Sequence, residues 1–86
     1  MKNKIVFVVS GSEDGLLGVY GNKKQAYKCA LKYVHDGNWR GNNLEIMSYS
    51  KVCKELKGVY NYSVKLIESY SDYNATISAV LFNEKI

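Results

Sequence analysis

The chain has 86 residues and a net charge of +4, and 47% of its residues are hydrophobic. This composition supports one hydrophobic core, so it predicts a single domain over residues 1–86 and excludes a disordered chain. Two cysteines, Cys29 and Cys53, are too few for the disulfide framework of a small secreted domain. The apolar run Ile5–Val9 is too short for a signal peptide, and no run reaches membrane-spanning length. The sequence therefore predicts a cytoplasmic protein with no membrane partner.

The chain opens with a predicted β-hairpin. Lys4–Ser10 is rich in β-branched and aromatic residues, which is typical of a buried strand. A turn cluster, Gly11–Gly15, separates it from a second apolar run, Leu16–Tyr20. The glycine spacing does not fit a phosphate-binding loop, and Glu13 and Asp14 would repel an anion.

A helix is predicted from about Lys23 to His35, with Asn22 as its N-cap and Asp36-Gly37 at its end. Its apolar side chains form one arc of the helical wheel: Ala26, Tyr27, Ala30, Leu31, Tyr33 and Val34. Three lysines lie on the opposite side at four-residue intervals: Lys24, Lys28 and Lys32. We therefore expect this helix to pack on the sheet and to turn its lysines to solvent.

The middle of the chain is a polar loop followed by a second helix. The loop, Gly37–Asn43, contains the only tryptophan and the only arginine. Leu44–Met47 is either a short strand or an extended link. A shorter helix is then predicted from its N-cap, Ser50, through Lys57, with Gly58 as the C-terminal glycine.

The C-terminal part is predicted to form a second hairpin. Val59–Glu68 alternates in hydropathy, although the period of Tyr62–Tyr70 also allows a helix. Four of its residues share one face: Tyr60, Tyr62, Val64 and Leu66. Ser69–Asn74 forms a turn, and Ala75–Phe82 is the last strand. The order ββααββ predicts an α+β fold, with an antiparallel four-stranded sheet and two helices on one face.

The positive charge is concentrated in the middle third of the chain. Residues 23–57 carry a net charge of +5, whereas the flanking segments sum to −1. The predicted helices turn this charge to one side, where it would attract polyanions. The candidate nucleic-acid-binding residues are Lys24, Lys28, Lys32, Trp39, Arg40, Lys51, Lys54 and Lys57. Trp39 beside Arg40 would stack on unpaired bases, which suits RNA, while the lysines alone also serve solubility.

The sequence offers no recognisable catalytic or metal-binding arrangement. One histidine, His35, and two separated cysteines do not make a metal-ligand set, and the carboxylates are not paired for acid–base chemistry. Nucleophilic catalysis would need Cys29 or Cys53 beside His35, but such cysteines ordinarily pack in a core. We therefore expect a protein that is not an enzyme and that needs no cofactor.

The tyrosines offer a second binding surface. Tyr60 and Tyr62 belong either to the core or to the sheet face that the helices leave uncovered, where aromatic side chains often meet a partner. The sheet also has two edges that can pair with another copy. Partner binding through Tyr60 and Tyr62, or formation of a homodimer, is the alternative interpretation.

The N-terminal third combines a short apolar strand, Ile5–Val9, an acidic turn, the strand Gly18–Tyr20 and the Lys-Lys-Gln-Ala start of a helix at Lys23–Ala26. In this order it resembles small accessory proteins of tailed, T-even-like bacteriophages. The resemblance implies a stoichiometric modifier of host machinery or a counter-defence inhibitor, including antitoxin-like inhibitors of toxin nucleases. It transfers no functional residue.

Charge and resemblance together lead to one hypothesis and one alternative. The hypothesis is a phage-type inhibitor or modifier that binds RNA, or an RNA-associated host protein, in the host cytoplasm. The alternative is a protein-binding inhibitor that acts through its sheet face or an edge strand without nucleic acid.

Overall fold

The fold is that of a computed structural model, which describes residues 2–41, 43–56, 62–67 and 73–84. The elements are strands β1 (Lys2–Gly11) and β2 (Gly15–Tyr20), helices α1 (Lys23–Gly37) and α2 (Tyr49–Glu55), and strands β3 (Tyr62–Lys65) and β4 (Ala75–Glu84). The strands form one antiparallel sheet in the order β2-β1-β4-β3. The predicted α+β fold with its ββααββ order is confirmed.

The first hairpin has a short turn at residues 12–14, after which Gly15 adopts a φ of 72°. This left-handed conformation suits glycine, because it has no Cβ. Val9 pairs with Gly18 and Ser10 pairs with Leu16, so β2 contains one extra residue between these pairs. Such a bulge bends the strand locally.

Strands β1 and β4 form the centre of the sheet and pair along their full lengths. Phe7 and Val9 of β1 and Ile77 and Ala79 of β4 are buried. They lie at alternate positions, so they share the face that the helices cover. They join the inner residues of both helices in a single core.

Helix α1 begins where the sequence predicts, because the Asn22 side chain accepts a hydrogen bond from the backbone N–H of Gln25 at 2.8 Å. Ala26, Ala30 and Val34 are buried at four-residue intervals. The small alanines let the helix axis approach the sheet closely. The helix contacts β2, β1 and β4.

Helix α2 lies beside α1. The rings of Tyr27 and Tyr49 are 5.4 Å apart at their centroids, and the Tyr27 hydroxyl donates a hydrogen bond to the Met47 carbonyl at 2.8 Å. Val52 and Leu56 bury the inner side of α2 in the same core. Both helices therefore cover one face of the sheet.

The predicted N-cap of α2, Ser50, is wrong. Ser48 is the residue with an extended backbone, and its hydroxyl accepts a hydrogen bond from the Lys51 N–H at 3.2 Å, whereas Ser50 lies inside the helix. The helix ends at Glu55. Lys57, where the sequence predicts its end, lies outside the described residues.

Tyr62–Lys65 form strand β3 and pair with β4. The helical interpretation of these four residues is therefore wrong. Leu66 leaves this ladder but keeps two backbone hydrogen bonds, one to the Ala75 carbonyl and one from the Met47 N–H, both at 2.8 Å. Ile67 then forms a single antiparallel bridge with Ile46. The segment before α2 is thus an extended link that pairs with the chain after β3.

Candidate functional site

Five of the predicted phosphate-binding lysines are exposed on the outer side of the helical layer. We call them the basic helical surface: Lys24, Lys28 and Lys32 of α1, with Lys51 and Lys54 of α2. The side chains opposite them on each helix are buried. The amphipathic pattern of the two helices therefore brings these lysines to one side of the molecule.

Acidic neighbours compensate part of this charge. The Lys32 ammonium lies 2.8 Å from the Asp36 carboxylate, one helical turn away, and this hydrogen bond raises the pKa of Lys32. Lys51 and Glu55 are also four residues apart on α2, which places opposite charges on adjacent positions of its surface. The sequence-based charge count does not include these effects, because it sums charges without placing them in the structure.

The other three lysines of the basic helical surface have no such compensation from the described residues. Within the part of the chain that the structure describes, Lys24, Lys28 and Lys54 have no carboxylate partner. Of the five lysines of the basic helical surface, these three have a positive charge that no described carboxylate offsets.

Trp39 and Arg40 lie at the C-terminal end of α1. Trp39 is 75% exposed, and the Arg40 guanidinium carbon is 4.9 Å from the centroid of the Trp39 ring, which is cation–π distance. Trp39 also lines a cleft together with Asp14 and Asp36. The structure thus brings Trp39 together with two carboxylates, an environment that the sequence interpretation did not foresee.

The remaining predicted site residues are only partly described. Lys57 and Tyr60 lie outside the described residues. The backbone of Tyr62 pairs with Ala79 in the β3–β4 ladder, and its side chain is not among those described.

The cysteines each contact a tyrosine. A hydrogen bond with Cys29 raises the pKa of Tyr20, and a hydrogen bond with Cys53 raises the pKa of Tyr49. Cys29 is half-buried, whereas His35 is exposed on a different side of α1, six residues along the helix. Among the described residues, no group of three His, Cys, Asp or Glu side chains could hold a metal ion.

The uncovered face of the sheet is aliphatic on its β2 side. Leu16 and Val19 are 66% and 54% exposed, and Val6, Val8 and Val80 beside them are half-buried. The sequence contained a signal for this surface, because the apolar residues of β1 and β4 do not alternate with polar ones but point to both faces of the sheet.

Towards β3 the uncovered face becomes polar. The hydroxyl oxygens of Ser63 and Ser78 are hydrogen-bonded at 2.8 Å across the two strands, and Lys65 is exposed beside them. The described aliphatic surface is therefore restricted to one half of the sheet.

No protein-family model, curated protein or solved structure matches the chain. None of the described helices is both long and apolar enough to span a membrane.

Proposed function

We propose that this chain is a binding protein whose basic helical surface contacts RNA or an RNA-associated protein. In this proposal it acts as a small phage-type accessory protein, a stoichiometric inhibitor or modifier of a host factor in the host cytoplasm. The observation that carries the proposal is that Lys24, Lys28 and Lys54 are exposed on one side of the molecule and have no carboxylate partner among the described residues. The N-terminal resemblance supports the accessory role.

The spacing of the α1 lysines suits a nucleic-acid backbone. Lys24, Lys28 and Lys32 follow one another at four-residue intervals, so they form a row about 12 Å long. Such a row reaches several phosphates, since these are about 3.4 Å apart along the axis of one strand of a duplex. A few lysine–phosphate contacts give salt-sensitive affinity without base specificity.

Charge reversal tests this surface directly. We expect the double variant Lys24→Glu, Lys28→Glu to weaken the binding of a fluorescent single-stranded RNA about tenfold or more, which corresponds to about 1.4 kcal/mol. Fluorescence anisotropy measures this change. The matched control is Lys4→Glu with Lys65→Glu, which makes the same change in net charge at exposed positions of the uncovered sheet face.

The two double variants give opposite expectations. The control should bind RNA within about threefold of the wild type, apart from the effect of net charge at long range. Equal losses in both variants would mean that total charge, rather than the helical surface, attracts the RNA. An unchanged affinity of the Lys24, Lys28 variant would refute the proposal.

A pull-down from host lysate, with and without ribonuclease, separates RNA from an RNA-associated protein. Loss of the captured material after ribonuclease identifies RNA as the direct ligand. Retention of a protein that the Lys24→Glu, Lys28→Glu variant does not capture identifies a protein that contacts the basic surface.

The aliphatic half of the uncovered sheet face favours a second candidate function, a protein-binding inhibitor that acts without nucleic acid. Leu16 and Val19 are exposed beside three half-buried valines, and exposed apolar clusters often meet partners. If this face binds the target, Leu16→Lys with Val19→Lys abolishes capture, whereas Lys24→Glu with Lys28→Glu does not.

A further inference from the structure

A cleft of about 240 Å³ opens at the C-terminal end of α1. Its walls come from the turn of the first hairpin, the last turns of α1 with the following loop, and the segment before β4. The lining consists of three aromatic side chains, two carboxylates and one glycine: Tyr33, Trp39, Tyr73, Asp14, Asp36 and Gly37.

The aromatic rings meet at an angle. The centroids of Tyr33 and Tyr73 are 5.7 Å apart, and their planes are inclined by 51°. The Tyr33 hydroxyl accepts a hydrogen bond from the Glu13 N–H at 3.1 Å, which ties this ring to the hairpin turn. Trp39 adds a third aromatic ring to the lining of the cleft, and the faces of aromatic rings attract cations.

Two glycines allow these rings to lie against the backbone. A Cβ at Gly11 would lie 2.5 Å from the Tyr33 Cζ, and a Cβ at Gly37 would lie 2.3 Å from the Tyr73 Cγ. Both distances are far below van der Waals contact. The ring positions are therefore set by close backbone approach at two separate points of the fold.

The electrostatics of the cleft favour a cation. Asp14 and Asp36 contribute two carboxylates, and the C-terminal end of α1 adds the negative end of the helix dipole. Lys32 binds the Oδ2 oxygen of Asp36 and offsets its charge, which leaves Asp14 as the main anionic group among the lining residues of the cleft. The Arg40 guanidinium carbon lies 4.9 Å from the centroid of the Trp39 ring, within cation–π distance.

The dimensions limit the ligand to a small group. The cleft is smaller than the roughly 300–1,000 Å³ typical of sites for drug-sized ligands. It is larger than an engineered protein cavity of about 150 Å³ that binds benzene. Aromatic walls with carboxylates are the arrangement that recognises alkylated ammonium groups. We propose that this cleft binds an alkylammonium cation, preferentially a quaternary one, carried either by a small molecule or by a methylated lysine side chain.

Choline is a suitable probe, and the protein reports on its binding. Trp39 is the only tryptophan, so tryptophan fluorescence monitors the cleft directly. The neutral control is 3,3-dimethylbutan-1-ol, in which carbon replaces the choline nitrogen. We expect a saturable fluorescence change with choline in the millimolar range, and an upfield shift of its methyl protons in NMR spectra from the aromatic ring currents. The alcohol should produce neither.

Paired variants locate the site. Asp14→Asn should weaken choline binding about two- to fivefold, the range for one exposed charge, whereas Glu45→Gln, at an exposed carboxylate outside the cleft, should not weaken it. Tyr73→Leu should reduce the ring-current shift, because it deletes one of the three rings, whereas Tyr49→Leu on α2 should leave the shift unchanged. Circular dichroism confirms that each variant is folded.

Three results would overturn the proposal: equal binding of the neutral alcohol, unchanged choline binding in both Asp14→Asn and Tyr73→Leu, or no response of the wild type in either fluorescence or NMR. A comparison of choline with a peptide that contains trimethyllysine assigns the source of the cation. If the trimethyllysine peptide binds more tightly than both choline and the unmethylated peptide, the natural ligand is a protein side chain. If choline binds more tightly than the trimethyllysine peptide, the natural ligand is a small molecule. This inference does not rest on the proposed RNA binding, which is argued from Lys24, Lys28 and Lys54 outside the cleft.

Discussion

Asn74 joins three segments of the chain, and its replacement by alanine is a sharp test of the fold. Its side chain accepts a hydrogen bond from the Ile67 N–H at 3.1 Å and donates one to the Ile67 carbonyl at 3.2 Å. Its backbone exchanges two further hydrogen bonds with Ser12, at 2.9 and 2.8 Å. Asn74→Ala removes only the two side-chain bonds.

The expected loss follows from the burial of Ile67, which is 2% exposed. A hydrogen bond contributes about 0.5–1.5 kcal/mol net, and a buried group left unsatisfied costs about 1–3 kcal/mol. Asn74 itself is half-buried, so water can replace part of what is lost. We expect the free energy of unfolding to fall by about 2–3 kcal/mol, which lowers the Tm by roughly 10–20 °C in a domain of this size.

Urea denaturation followed by circular dichroism measures this change as a lower midpoint with an unchanged m-value. Asn74→Asp keeps the acceptor for the Ile67 N–H but loses the donor, so it should fall between alanine and the wild type. Asn43→Ala, in an exposed loop, is the control and should stay within about 0.5 kcal/mol of the wild type. If Asn74→Ala and Asn43→Ala unfold at the same midpoint, the side chain of Asn74 does not hold these segments together.

Three further variants test local contacts by the same denaturation assay. Asn22→Ala removes the N-cap of α1 and should cost about 1 kcal/mol. Gly37→Ala forces a Cβ into the Tyr73 ring and should cost about 1–3 kcal/mol with altered near-ultraviolet circular dichroism, whereas Gly21→Ala, which has open space around its Cβ, should not alter that spectrum. Leu66→Ala empties a fully buried site and should cost about 2–5 kcal/mol.

The parts of the fold with local signals were predictable from the sequence. The first hairpin follows from two apolar runs around a glycine-bounded turn, and α1 follows from Asn22 and the four-residue spacing of its buried side chains. Both depend on residues close together in the chain. The antiparallel sheet then follows from the order of the elements.

Other features of the fold depend on long-range contacts or backbone conformation and could not be predicted from the sequence. Leu66 and Ile67 are both buried because the segment before α2 pairs with them, and this pairing ends the alternation that a plain strand would show. Ser48 and Ser50 are equally good N-caps by residue type, so only the backbone conformation distinguishes them.

The cleft is the clearest case of a feature without a sequence motif. Its side chains come from three distant segments, and Asp14, Tyr33 and Tyr73 meet only in the folded chain. Gly11 and Gly37 are the only sequence signal, because a glycine leaves space for a neighbouring ring. The sequence alone does not tell which ring fills the space at each glycine.

Ionic strength separates the two proposed sites, because their ligands have opposite charge and different counterion chemistry. Single-stranded RNA that contacts Lys24, Lys28 and Lys54 displaces condensed counterions, with a slope of log K against log salt of about −0.7 for each phosphate contact. Three contacts predict a loss of affinity of about 20-fold between 50 and 200 mM salt. Choline carries no condensed counterions, so its binding beside Asp14 and Asp36 should change by less than about threefold over that range.

A shallow slope for RNA, or one that is unchanged in Lys28→Glu, would mean that phosphate contacts of the helical lysines do not drive RNA binding. A slope for choline as steep as that for RNA would mean that general screening, and not counterion release, governs both sites.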